Sequence, residues 1–75
     1  MNVSLQYTPS MRAVLDWFDS QPCSCATVGL ITDEVQYSRE TVRRNLKEIA
    51  AGGHAELVHE PTALYRLKHD PREDG

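Results

Sequence analysis

Four cationic side chains, Arg39, Arg43, Arg44 and Lys47, fall close together in the chain, with Ser38, Glu40 and Thr41 among them. Groups of this kind at this spacing do recognition chemistry. A guanidinium presents its donors as a planar fork that matches two phosphate oxygens, or O6 and N7 of guanine. Arg43 and Arg44 are the best candidates for guanine edges. Glu40 can accept from a cytosine amino group, or orient Arg44 through an i,i+4 pair. Arg39, Ser38 and Lys47 are candidates to hold phosphates and so set register, and Thr41 lies on the flank of the same face.

One helix has to carry these groups. Ser38 can cap its start, and Gly52-Gly53 fits a C-terminal glycine cap with a left-handed residue. Between them Val42, Leu46, Ile49 and Ala50 recur at helical spacing and form an apolar stripe. Glu40, Arg44 and Lys47 point the opposite way, with Arg43 and Thr41 on either side. The expected helix spans about 38–51.

The rest of the chain reads as its scaffold. Val3, Leu5 and Tyr7 alternate in a short N-terminal arm, residues 1–7. Thr8-Pro9 is a good helix start, and Met11, Val14, Leu15 and Phe18 then share a face. Arg12 and Asp16 are spaced as an i,i+4 pair. Trp17 lies on the flank beside Ala13, either as the rim of the core or as the anchor of a subunit contact. Cys23–Ala26 is short and extended. Thr27 can cap a second helix running to about Val35, which buries Val28, Ile31 and Val35 and leaves Leu30 exposed. After the glycines the period drops to 2, and 54–59 and 63–68 read as a hairpin around Glu60-Pro61-Thr62. Ala55, Leu57, Tyr65 and Leu67 would share its core face. The segment 69–75, HDPREDG, holds no apolar residue and is expected to be a disordered acidic tail.

With 75 residues, 40% hydrophobic and 25% charged, the chain is expected to form one small globular domain. No apolar run approaches the roughly 20 residues of a membrane span, and no signal-peptide pattern follows Met1, so a cytoplasmic protein is expected. Net charge is −3, unevenly spread: residues 38–47 carry +3 and the remainder −6. A local basic patch on an acidic body is compatible with DNA, because phosphates respond to the local field. Cys23 and Cys25, one residue apart, are expected to be reduced thiols, since a disulfide closing so small a ring is strained.

Helix, short strand, helix, tight turn, helix, hairpin is the order of a winged helix-turn-helix, an α+β fold of three helices with a C-terminal β-hairpin wing. ATVGLITDEVQYSRETVRRNLKEI, residues 26–49, resembles the helix-turn-helix of small prokaryotic regulators, with Ser38, Thr41, Val42 and Leu46 at that motif's positions. GGHAELVHEPTALYRL is similar to the hairpin wing of the same family, most like the short winged-helix proteins of archaea and their viruses. The resemblance covers roughly residues 10–68, with the domain placed at 8–68. Thr32 stands where the family often has a smaller residue, and Gln36 where it favours glycine at the turn. The resemblance implies a sequence-specific transcription regulator, such as a repressor, that inserts its third helix in the major groove of double-stranded DNA. The wing tip, His59-Glu60-Pro61-Thr62, is acidic, leaving Arg66 and Lys68 as marginal wing contacts.

One recognition helix buries little surface, so a homodimer is expected. Leu5, Ala13, Trp17 and Leu30 are its candidate interface residues. The competing reading is a winged-helix module that binds protein and leaves DNA alone. Metal binding by Cys23, Cys25, His54, His59 and His69 is disfavoured: Cys-x-Cys is tighter than the usual zinc spacing, and His54 and His59 point to opposite faces of a strand. No catalytic motif stands out. Neither a cofactor, a metal nor a small-molecule substrate is expected.

Overall fold

The computed structural model describes residues 7–22 and 24–73, and these form three helices and a three-stranded antiparallel sheet. Helix α1, Pro9–Asp19, starts where Thr8 accepts from the Met11 N–H and Pro9 fills the first turn. Strand β1, Cys25–Thr27, runs directly into helix α2, Val28–Glu34, whose first turn is capped by Thr27 accepting from Leu30 N–H. Helix α3, Arg39–Ala51, is capped by Ser38 and followed by β2, Ala55–His59, and β3, Leu64–Leu67. This α+β order is compatible with a winged helix.

The strands lie in the order β1-β3-β2, with Ala26 opposite Tyr65 and Ala55 opposite Leu67. One core joins the helices to this sheet. Met11, Val14, Leu15 and Phe18 of α1 meet Ile31 of α2, Val42, Leu46 and Ile49 of α3, and Ala26, Ala55, Tyr65 and Leu67 of the sheet. The 3.6-residue spacing of the apolar positions dictates which helix faces turn inward.

Several expectations are corrected. Trp17 is 8% exposed, packs edge-to-face on Phe18 at 5.3 Å, and donates its indole N–H to Glu34 Oε1 at 3.2 Å. The core reading of Trp17 therefore holds, and only the alternative is corrected, because almost no surface is left to anchor a subunit contact. The partner of Asp16 among the described residues is Arg72, where Arg12 was expected. Leu57 lies opposite the buried Tyr65 as its alternation requires, yet remains 44% exposed on the edge strand β2, next to a bulge between Leu57 and His59. Gln36 needs no left-handed backbone; α2 ends on Val35 in an extended conformation. The positive φ falls at Ala63 (φ 53°), whose N–H closes the hairpin turn on the Glu60 carbonyl.

The tail is the largest correction. Residues 71–73 form a 3-10 turn, and Asp70 and Pro71 are buried. Arg72 reaches Asp70 at 2.8 Å, Asp16 at 2.8 Å and Asp19 at 3.1 Å, strapping the C-terminal segment to α1. The segment has no apolar side chain beyond the proline ring, so ion pairing supplies what hydrophobic patterning could not signal. Leu5 lies outside the described residues.

Candidate nucleic-acid interface

Helix α3 forms where its sequence allows. The Ser38 hydroxyl accepts from Thr41 N–H at 3.2 Å, and the two hydroxyl oxygens lie 3.0 Å apart. Both hydroxyls are therefore engaged in the cap. At the far end Gly53 takes φ 83°, and its N–H donates to the Ala50 carbonyl. Val42, Leu46 and Ile49 are fully buried. At about 100° per residue their burial fixes the outward direction of the rest of the helix.

Arg39, Glu40, Arg43, Arg44 and Lys47 are all exposed, and together they line a shallow open groove. Thr41 is half-buried at its margin. The structure thus brings six of the seven expected contact residues onto one surface, with Ser38 at the head of the helix.

Among the described residues none of the four cations, nor Glu40, has an ion-pair partner within 4 Å; the ion pairs join Arg66 to Glu56 and Arg72 to Asp16, Asp19 and Asp70. The expected i,i+4 pairing of Glu40 with Arg44 is not made. Arg39 is the first residue of α3, where the helix macrodipole favours an anion, so folding gains nothing from a cation there. Its guanidinium lies back towards α2, where a Cβ on Gly29 would be 3.5 Å from Nη2. Arg39 thus lies beside α2, and Arg43, Arg44 and Lys47 are exposed with it.

The short turn between the helices holds this geometry. Thr32, half-buried in α2, donates its hydroxyl to the Val28 carbonyl at 2.7 Å. With its polar group satisfied inside its own helix, it packs as a small side chain would.

The hairpin offers less to an anion. Arg66 is paired to Glu56 across the strands, and His59 is hydrogen-bonded to Thr62 at 2.8 Å within the turn. Val58, in the bulge, is 52% exposed. Of the candidate dimer residues, Leu30 is 49% exposed, Ala13 is half-buried and Trp17 is in the core.

Two polar contacts were not anticipated. Asn45, between the outward Arg44 and the inward Leu46, is buried and donates from Nδ2 to Ser10 Oγ at 3.0 Å. Its signal was available: it falls three residues after Val42 and four before Ile49, inside the apolar stripe. His54 and His69 are hydrogen-bonded, with Nδ1 and Nε2 2.7 Å apart. That pairing joins the end of α3 to the tail, and no local spacing announces it. Among the described residues no group of three or more His, Cys, Asp or Glu is arranged to hold a metal ion, and no helix is long and apolar enough to cross a membrane.

Comparison of the chain with family models, curated proteins and solved structures gives no match.

Proposed function

We propose that the chain is a winged helix-turn-helix transcription regulator, acting in the cytoplasm without enzymatic chemistry, that binds double-stranded DNA through α3. The observation that carries this reading is the face of Arg39, Arg43, Arg44 and Lys47: four exposed cations lining one groove with no carboxylate partner among the described residues. Leaving cations unneutralised on an acidic body is reasonable when an external polyanion supplies the countercharge. An α-helix also fits the major groove, where arginine discriminates guanine. Arg43 and Arg44 read base edges in this account, Lys47 and Arg39 hold phosphates, and Glu40 accepts from cytosine. Ser38 and Thr41 contribute through the backbone N–H groups at the helix start more than through their engaged hydroxyls.

The test is binding to random and upstream-region duplexes across a salt series. Arg43→Ala/Arg44→Ala should weaken binding to the preferred duplex by about 2 kcal/mol or more, roughly thirtyfold, and flatten the salt slope. Unchanged affinity and slope in the double variant would sink the proposal. Sedimentation of wild type and Leu30→Glu at micromolar concentration tests the proposed homodimer.

A second reading is favoured by the hairpin. Leu57 and Val58 are exposed at a sheet edge, next to an Arg66 already paired to Glu56. That surface suits a protein partner, and a protein-interaction module is what remains if duplex DNA is not bound at low salt.

A further inference from the structure

We infer that Asn45 is a positioning residue, whose hydrogen bond to Ser10 fixes the roll of α3 about its own axis and thereby the aim of Arg43 and Arg44, an inference that rests on the DNA reading of that helix.

The inward side of α3 is otherwise apolar. Val42, Leu46 and Ile49 are fully buried against α1, α2 and the sheet. Such contacts hold the helix down, but they are not directional and tolerate small rotations. A hydrogen bond does not, since it needs a donor–acceptor distance near 2.7–3.2 Å and near-linear geometry.

Asn45 supplies the directional contact. Its Nδ2 donates to Ser10 Oγ at 3.0 Å across 35 residues of sequence. Ser10 Oγ lies 3.1 Å from Thr8 Oγ1, which accepts from Met11 N–H as the N-cap of α1. The amide donates to Ser10, Thr8 accepts from the backbone, and either hydroxyl can donate in the contact between Ser10 and Thr8. Among the described residues no fully buried side-chain nitrogen or oxygen lacks a partner, and the partner of Asn45 Nδ2 is Ser10. The roll of α3 is thus referred to the capped end of α1.

The leverage is large. A roll of about 20° moves a side-chain tip some 6 Å from the helix axis by roughly 2 Å. A recognition site tolerates only about 0.5 Å. Phosphate contacts by long side chains absorb such a shift, whereas bidentate arginine–guanine contacts do not. A buried polar group that fixes register at some cost in stability is a known use of such residues.

The test compares wild type, Asn45→Leu and Ser10→Ala. A duplex selected by the wild type from a random library is measured against a scrambled duplex of equal composition. Asn45→Leu should melt at the wild-type temperature or above and keep its salt slope on the scrambled duplex. Its preference for the selected duplex should fall at least tenfold. Ser10→Ala removes the same hydrogen bond without touching α3 and should reproduce that loss, so a poorly folded Asn45→Leu leaves the question open to decision. Retention of the preference in Ser10→Ala overturns the inference. Should the wild type bind no duplex at all, the DNA reading fails by itself. Amide spectra then decide the role of Asn45: doubled or broadened α3 resonances in Ser10→Ala support it, and a single sharp set as in the wild type overturns it.

Discussion

At Arg39 the demands of folding and of anion binding have opposite signs. A cation at the first position of a helix opposes the macrodipole, whereas a carboxylate there is favourable by about 0.3–1 kcal/mol. Arg39→Glu should therefore raise stability to denaturant by about 0.5 kcal/mol while weakening duplex binding at least about tenfold and reducing the salt slope by about 1. A variant that lost both stability and binding would show Arg39 to be a structural residue through its approach to Gly29. At this scale the sequence was informative about type and less so about engagement. The cations were legible because their spacing is local. The commitment of Ser38 and Thr41 to the cap, and the absence of a Glu40–Arg44 pair, depend on side-chain directions that spacing alone leaves open.

Among the elements, the two connections within the α3–hairpin unit, from α3 to β2 and from β2 to β3, depend on left-handed residues. Gly53 has φ 83° with nothing within 4 Å of where a Cβ would sit, so Gly53→Ala should cost about 1 kcal/mol from backbone conformation alone. Gly53→Asn should cost less, because asparagine tolerates that region. Ala63 is the informative contrast. From the strand pattern, valine at 63 would be expected to favour β structure. With φ 53°, and with the Ala63 carbonyl accepting from Val28 N–H, Ala63→Val should instead destabilise by about 1–2 kcal/mol. A urea-unfolding series settles the sign. The glycine was readable because Gly-Gly after a periodic helix has few uses. The alanine was not, because nothing in its side chain marks it for a left-handed turn.

Across the whole molecule, the ion pairs among the described residues all lie away from α3, although Arg12 and Lys68 are left open as well. The cations of α3 are left open, while Arg72 is held by three aspartates and Arg66 by Glu56. The Asp70 carboxyl is 4% exposed, and hydrogen bonding to Arg72 holds it below the usual carboxylate range against the opposing effect of burial. Near pH 4 the unfolded chain then binds more protons than the native one, so this contribution is complete above the ordinary aspartate value of about 3.9. It is lost as pH falls through the lowered native value. Arg72→Ala should cost about 2 kcal/mol at pH 7 by leaving the buried carboxylate without its guanidinium. The difference from wild type should shrink only below about pH 4. If unfolding midpoints of the two proteins converged at neutral pH, the strap would be without energetic weight.

The sequence by itself determined the parts of this protein that are written within a turn or two of chain: the capped helices, the glycine stop, the change of period into the hairpin, and the cluster of cations on one face of α3. Each is a relation between residues at most a few positions apart, where helical and strand geometry fix the outcome. The tertiary structure alone decided that Trp17 belongs to the core, that Asn45 reaches Ser10, that His54 meets His69, and that the tail is strapped to α1. Those contacts join residues 15 to 56 positions apart. Directional polar contacts across such distances leave no periodicity in the chain, because they form only once the core has already brought the elements together.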